Sequence, residues 1–162
     1  MKMKEIFDHV LIENDLSAEI VTAFQTDYSL RKELIAYSRQ NRNHEFALAL
    51  IDKFIVVRQQ PGNDMPIEDI MFACFNLGLQ KQIEDCLKIW EAKNIDFDTF
   101  CGVDIQLLTF AGVQETIEYL KQQKTEKAQA ALKYVTECLE AGDFDDLHNY
   151  FSKDYLHWYL WI

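Results

Sequence analysis

The chain has 162 residues, of which 49% are apolar and 27% charged, with 27 Asp and Glu against 16 Lys and Arg. A chain of this length buries about 70% of its surface on folding, so neither disulfides nor a structural metal is needed to hold a core, and at ~150 residues per domain the whole of 1–162 reads as one helical domain with a candidate subdivision near 61–66. The net charge of −11 argues against generic binding to nucleic acid or to anionic membrane, because both require a basic surface.

From the N-terminus, charges recur at Asp8, Glu13 and Asp15, so no secretory signal is expected. No stretch approaches 18 uninterrupted apolar residues, so no membrane span is expected either. Short helices are predicted over 3–13, 17–25 and 29–40. Residues 43–60 place Ala47, Leu50, Ile51, Phe54 and Ile55 on one helical face. Phe46, Leu48 and Val57 add apolar surface elsewhere, so this helix is expected to be central. Phe54 to Val57 would suit a strand in isolation, but they end a long helical stripe.

Pro61 and Pro66 bracket one segment and are the only prolines in the chain. Pro66 suits a first helical position, with Asp64 near the cap and Glu68 and Asp69 in the positive first turn. Helices follow over 67–77 and over 79–93, the latter carrying Leu79, Ile83, Leu87 and Trp90. A short helix is predicted over 104–110, and another over 113–122 with Val113, Ile117 and Leu120 inward. Residues 125–141 carry Ala128, Ala131, Leu132, Val135, Cys138 and Leu139 as one stripe, with Thr125 as N-cap and Gly142 after the last turn. A last helix is predicted over 143–161. No Asn-Gly or Asp-Gly turn sits between alternating strands. The expected fold is all-α, with antiparallel helical hairpins packed as a bundle or a short α-solenoid.

Motifs for chemistry are few. Cys74, Cys86, Cys101 and Cys138 form no C-x-x-C pair, which removes zinc-ribbon and redox-dithiol readings. Three sit among apolar neighbours, so reduced core thiols in a cytoplasmic protein are expected. His44-Glu45 opens a zinc-protease motif, but Leu48 stands where its second histidine belongs. His9, His148 and His157 have no ligand spacing among them. Asp96-Phe97-Asp98 and Asp143-Phe144-Asp145 are D-x-D pairs, the second followed by Asp146. Such carboxylates can hold a divalent cation. The stronger reading is capping, since each pair follows a helix break and precedes an expected helix. Phe97 and Phe144 would then anchor the turns. No enzyme, cofactor or metal is expected.

Charge is polarised along the chain. Residues 1–60 hold 8 basic and 9 acidic side chains, whereas 61–162 hold 8 and 18. No arginine follows Arg58, and no Lys or Arg occurs from 134 to 152. A solvated acidic face accounts for solubility; complementarity to a basic partner is the functional reading. The tail from Tyr155 to Ile162 is rich in aromatic residues. It reads either as a segment docked on the core or as a partner-binding surface.

Two resemblances add to this. In 67–100, a helix over 67–77, a turn at Gly78, the stripe Ile83, Leu87, Trp90 and a left-handed cap at Asn94 resemble one helical hairpin of the tetratricopeptide/pentatricopeptide family. The stretch from Cys101-Gly-Val-Asp-Ile-Gln through Glu118-Tyr-Leu120 resembles small acidic helical immunity proteins of bacterial toxin–immunity systems. That resemblance implies binding to a cognate toxin domain, often a basic nuclease, and masking of its active site. The partner-binding residues expected on that basis are Glu91, Asp96, Asp98, Asp104, Glu137, Glu140, Asp143, Asp145 and Asp146, with Phe97, Phe144, Tyr150 and Tyr155 as aromatic anchors. The alternative is an adaptor that holds a peptide or a cellular protein in a groove of helices 67–93 and 104–122.

Overall fold

Short polar side chains mark most of the helix starts. The computed structural model describes residues 2–13, 15–63, 65–155 and 157–160. After α1 (Met3–Glu13), Ser17 accepts the Ile20 N–H ahead of α2 (Ala18–Thr26), and Asp27 accepts from Ser29 and Leu30 ahead of α3 (Tyr28–Gln40). Asn43 accepts from Phe46 ahead of α4 (His44–Gln59). Each bond satisfies an N–H that the first helical turn leaves without a carbonyl. The remaining helices are α5 (Ile67–Gly78), α6 (Cys86–Lys93), α7 (Phe97–Gly102), α8 (Val113–Gln122), α9 (Glu126–Ala141) and α10 (Leu147–Tyr150). Turns of 3-10 helix occupy Ile83–Asp85, Ile105–Thr109 and Trp158–Leu160. No strand occurs among the described residues, so the fold is all-α. None of their helices is long and apolar enough to cross a membrane.

The chain divides into two compact units. The first runs to Gln80 and takes in the segment from His157; the second is Lys81–Leu156. The Pro61–Pro66 segment is therefore a helix-to-helix connection inside the first unit. Pro66 itself is the extended residue just before α5, and Asp64 lies outside the described residues.

In the first unit the surrounded helix is α5, not α4. Every residue from Asp69 to Gly78 is buried. α4 packs on it and buries Leu50, Ile51, Phe54 and Ile55 but leaves Val56 exposed. A buried ion pair crosses this core. Arg31 (0% exposed) meets Asp69 (3% exposed) and also donates to the carbonyls of Phe24 and Tyr159. Its guanidinium lies 5.2 Å from the Tyr28 ring centre and 5.0 Å from that of Phe72. Gln25 Nε2 donates to the second Asp69 oxygen at 2.9 Å. Burial pushes the Asp69 carboxyl up, against the pull of Arg31 and Gln25.

The single helix expected over 143–161 is replaced by α10, turns, and one 3-10 turn. The cause is local: short polar side chains compete for the backbone, as where Ser152 Oγ accepts the Asp154 N–H. His157, Tyr159 and Leu160 are buried in the first unit, and His157 stacks on Tyr159 at 4.8 Å. The docked reading of the tail therefore holds for these three residues. Tyr155 is exposed, and Leu156, Trp161 and Ile162 lie outside the described residues.

In the second unit α8 and α9 pair across the short link 123–125. Thr125 caps α9, and Gly142 ends it at φ 86°, a left-handed position that suits glycine. Cys138 closes the buried face, while Leu139 is exposed. Two expected turn signals change. Gly78 is the last residue of α5, and the positive φ falls at Lys81. Asn94 is not left-handed (φ −107°); its side chain donates to the Trp90 carbonyl instead. Trp90, Phe100 and Tyr134 form an aromatic cluster with ring centres 5.3–5.6 Å apart at the Tyr134 contacts.

Candidate functional site

All thirteen candidate partner-binding residues fall in the second unit, which carries 8 Lys against 15 Asp and Glu. The fold does not gather them all. It brings Asp104, Asp143, Asp146, Tyr150 and Tyr155 around one pocket of about 320 Å³, together with Gln106 and Asn149.

Local geometry builds this pocket from two stretches about 40 residues apart. Asp104 precedes the Ile105–Thr109 turn without capping it, so its carboxylate is free to accept the Tyr150 hydroxyl at 2.8 Å. Gln106 Nε2 donates to the Asp143 carbonyl at 2.7 Å, which ties the same turn to the end of α9. The left-handed Gly142 reverses the chain, and the Asp143 N–H bonds back to the Cys138 carbonyl. Phe144 is buried (8% exposed) and holds the reversal, with Asp143, Asp145 and Asp146 exposed around it. No Lys or Arg lines the pocket. Its walls offer carboxylates, phenols and amides, a set that suits cationic groups. Among the described residues no cluster of His, Cys, Asp or Glu is arranged to hold a metal ion.

The remaining candidates sort by what they already do. Asp96 is engaged in a reciprocal capping box with Thr99, which answers the first D-x-D in favour of capping. The second does not follow: Asp146 makes no side-chain cap bond, and the Asp143 carboxylate takes the Cys138 thiol. Burial first, and then Asp143, pushes that thiol up. Burial also pushes Cys86 up to about 12, with the Asp85 charge adding to it. Glu91 sits between Lys127 (2.9 Å) and Lys88 (3.2 Å), so its charge is met within the unit. Glu137 lies 3.9 Å from Lys133; Glu140, Asp145 and Asp98 point to solvent.

Two aromatic assignments exchange roles. Phe144 is core and is withdrawn as a partner contact. Phe97, expected to anchor its turn, is 79% exposed instead. Gln106 and Asn149 were not visible in the sequence as site residues, since isolated amides carry no spacing signal.

Fold and site together define an all-α protein that presents an acidic pocket on an acidic unit. No protein-family model matches this chain, and no curated protein or solved structure matches it.

Proposed function

We propose that this chain is a protein-binding inhibitor, an immunity protein that neutralises a cognate bacterial toxin in the cytoplasm. It acts by binding rather than by catalysis, and its partner is a basic protein domain such as a nuclease. The observation that carries this reading is the convergence of Asp104, Asp143 and Asp146 on one pocket with no cation in its lining. Glu137, Glu140 and Asp145 extend the negative surface along the end of α9 and the following turn. A field of this sign imitates the charge of nucleic acid, steers a basic domain into contact and covers its substrate groove.

Affinity purification from the native host at low salt tests it. The expected result is one dedicated basic protein whose affinity falls steeply with salt, and whose toxicity is suppressed when this chain is co-expressed. The Asp104→Asn, Asp143→Asn, Asp146→Asn triple variant should bind more weakly and with a shallower salt dependence. Binding indifferent to salt, or no protection on co-expression, overturns the proposal. Recovery of several unrelated cellular proteins would favour the adaptor instead.

A further inference from the structure

Phe97 is presented to solvent by a helix that is fixed at both ends. At the start of α7, Asp96 Oδ1 accepts the Thr99 N–H at 2.9 Å and Thr99 Oγ1 accepts the Asp96 N–H at 3.0 Å; Thr99 is fully buried. At its end, the buried Lys93 ammonium donates to the carbonyls of Phe100 and Val103, both at 2.6 Å. The inward side of α7 is filled by Phe100, whose ring meets Tyr134 at 5.3 Å. Phe97 is thus left outside, between the exposed carboxylates of Asp96 and Asp98.

A single exposed apolar side chain is ordinary on a protein surface. This one differs in being held rigidly inside a strongly charged frame. An aromatic ring loses little side-chain freedom on docking, and a pre-ordered backbone removes the rest of the ordering cost. Carboxylates alone steer basic proteins without telling them apart. A ring that must enter a socket does tell them apart, because shape complementarity at a buried aromatic dominates binding energy.

We infer that Phe97 is the anchor of the docking face, and that it enters an apolar socket ringed by Lys or Arg on a basic partner protein. The inference rests on the proposal that the partner is basic. Charge complementarity selects this occupant over a second copy of the chain, since pairing two such faces would bring like charges together.

The test places a photo-crosslinking phenylalanine analogue at position 97, with a control at the exposed Glu118 of α8. The captured protein is then purified and its binding measured to the wild type, Phe97→Ala and the triple Asp→Asn variant. The expected result is capture of a basic protein from position 97 alone. Phe97→Ala should lower its affinity about 30-fold or more, with the salt dependence and the melting curve unchanged. Affinity within twofold of wild type overturns the inference, as does crosslinking to a second copy of the chain. No capture at position 97, while the triple variant still weakens a partner recovered at low salt, overturns the anchor and leaves the acidic-face proposal standing. Failure to recover any basic partner overturns both.

Discussion

The two units differ in how they balance charge. The first holds 8 basic and 12 acidic side chains, and places one of each, Arg31 and Asp69, inside its core. The second holds 8 and 15, and sends Glu137, Glu140, Asp143, Asp145 and Asp146 to solvent. Buried charge acts on geometry: the Arg31 fork joins α2, α5 and the returning tail through Phe24, Asp69 and Tyr159. Surface charge contributes little to stability and acts instead on encounter with other molecules. The contrast is one of balance: the first unit buries its two ions as a pair, whereas the second buries Lys93 and Asp85 and carries a larger acidic excess on its surface.

The largest expected effect lies inside the first unit. Arg31→Met removes the cation and leaves the Asp69 carboxylate buried with the Gln25 amide but without its countercharge, at a cost of about 3–5 kcal/mol at neutral pH. Denaturant unfolding measures the loss, and hydrogen exchange should rise in α2, α3 and α5. The pH dependence has a definite sign. Burial already raises the Asp69 pKa, so the folded variant prefers the protonated acid. Its stability should recover as pH falls through that raised value and decline as pH rises through it. Arg31→Met with Asp69→Leu should restore much of the stability, since an apolar pair replaces an ion pair at little cost. A deficit that does not change with pH would mean that lost packing on Tyr28 and Phe72, not an orphaned carboxylate, sets the cost.

A smaller effect is expected at a buried cation of the second unit. Lys93 lies over the rings of Phe100 and Tyr134 at 5.2 and 5.5 Å while bonding two carbonyls at the end of α7. Lys93→Met keeps the stem and removes the charged donor, at a cost of about 2 kcal/mol. Exchange should rise in α7 and at Val103. If exchange rose equally in α3 and α5, the separation of the chain into two differently built units would fail.

Local signals in the sequence were enough for most helices and little else. Thr125 and Gly142 bracket α9 because capping is a matter of a few adjacent residues, and 113–122 is recovered whole as α8. α7 was missed because six residues are too few to show a period, although Asp96 marked its start. The tail was misread because its apolar content suggested a helix, while a single side chain acting on the backbone, Ser152 on the Asp154 N–H, leaves no periodic signal. The Arg31–Asp69 pair spans 38 positions, and Gln106 meets Asp143 across 37. Pairings of that reach are fixed by tertiary packing, so the acids were legible as a cluster but the pocket was not.

The smallest effect tests whether a partly exposed ion pair of the second unit is stabilising. Glu91 bridges α6 and α9 through Lys127 and carries Lys88 on its own helix. Burial alone would raise its pKa, but the bonds from the two lysines hold it below the ordinary glutamate range. A lowered folded pKa means stability that is present at neutral pH and is lost as pH falls below about 4.3 and through the folded value. The side chain is 38% exposed, so water and salt screen the pair strongly. Glu91→Gln should therefore cost no more than about 0.5 kcal/mol at pH 7 and low salt, and nothing measurable at pH 3 or in 1 M salt. A deficit that persists at pH 3 would assign the effect to shape and hydrogen bonding rather than charge. Surface ions of the second unit would then be structural as well, and the division between inward and outward charge would have to be redrawn at Glu91.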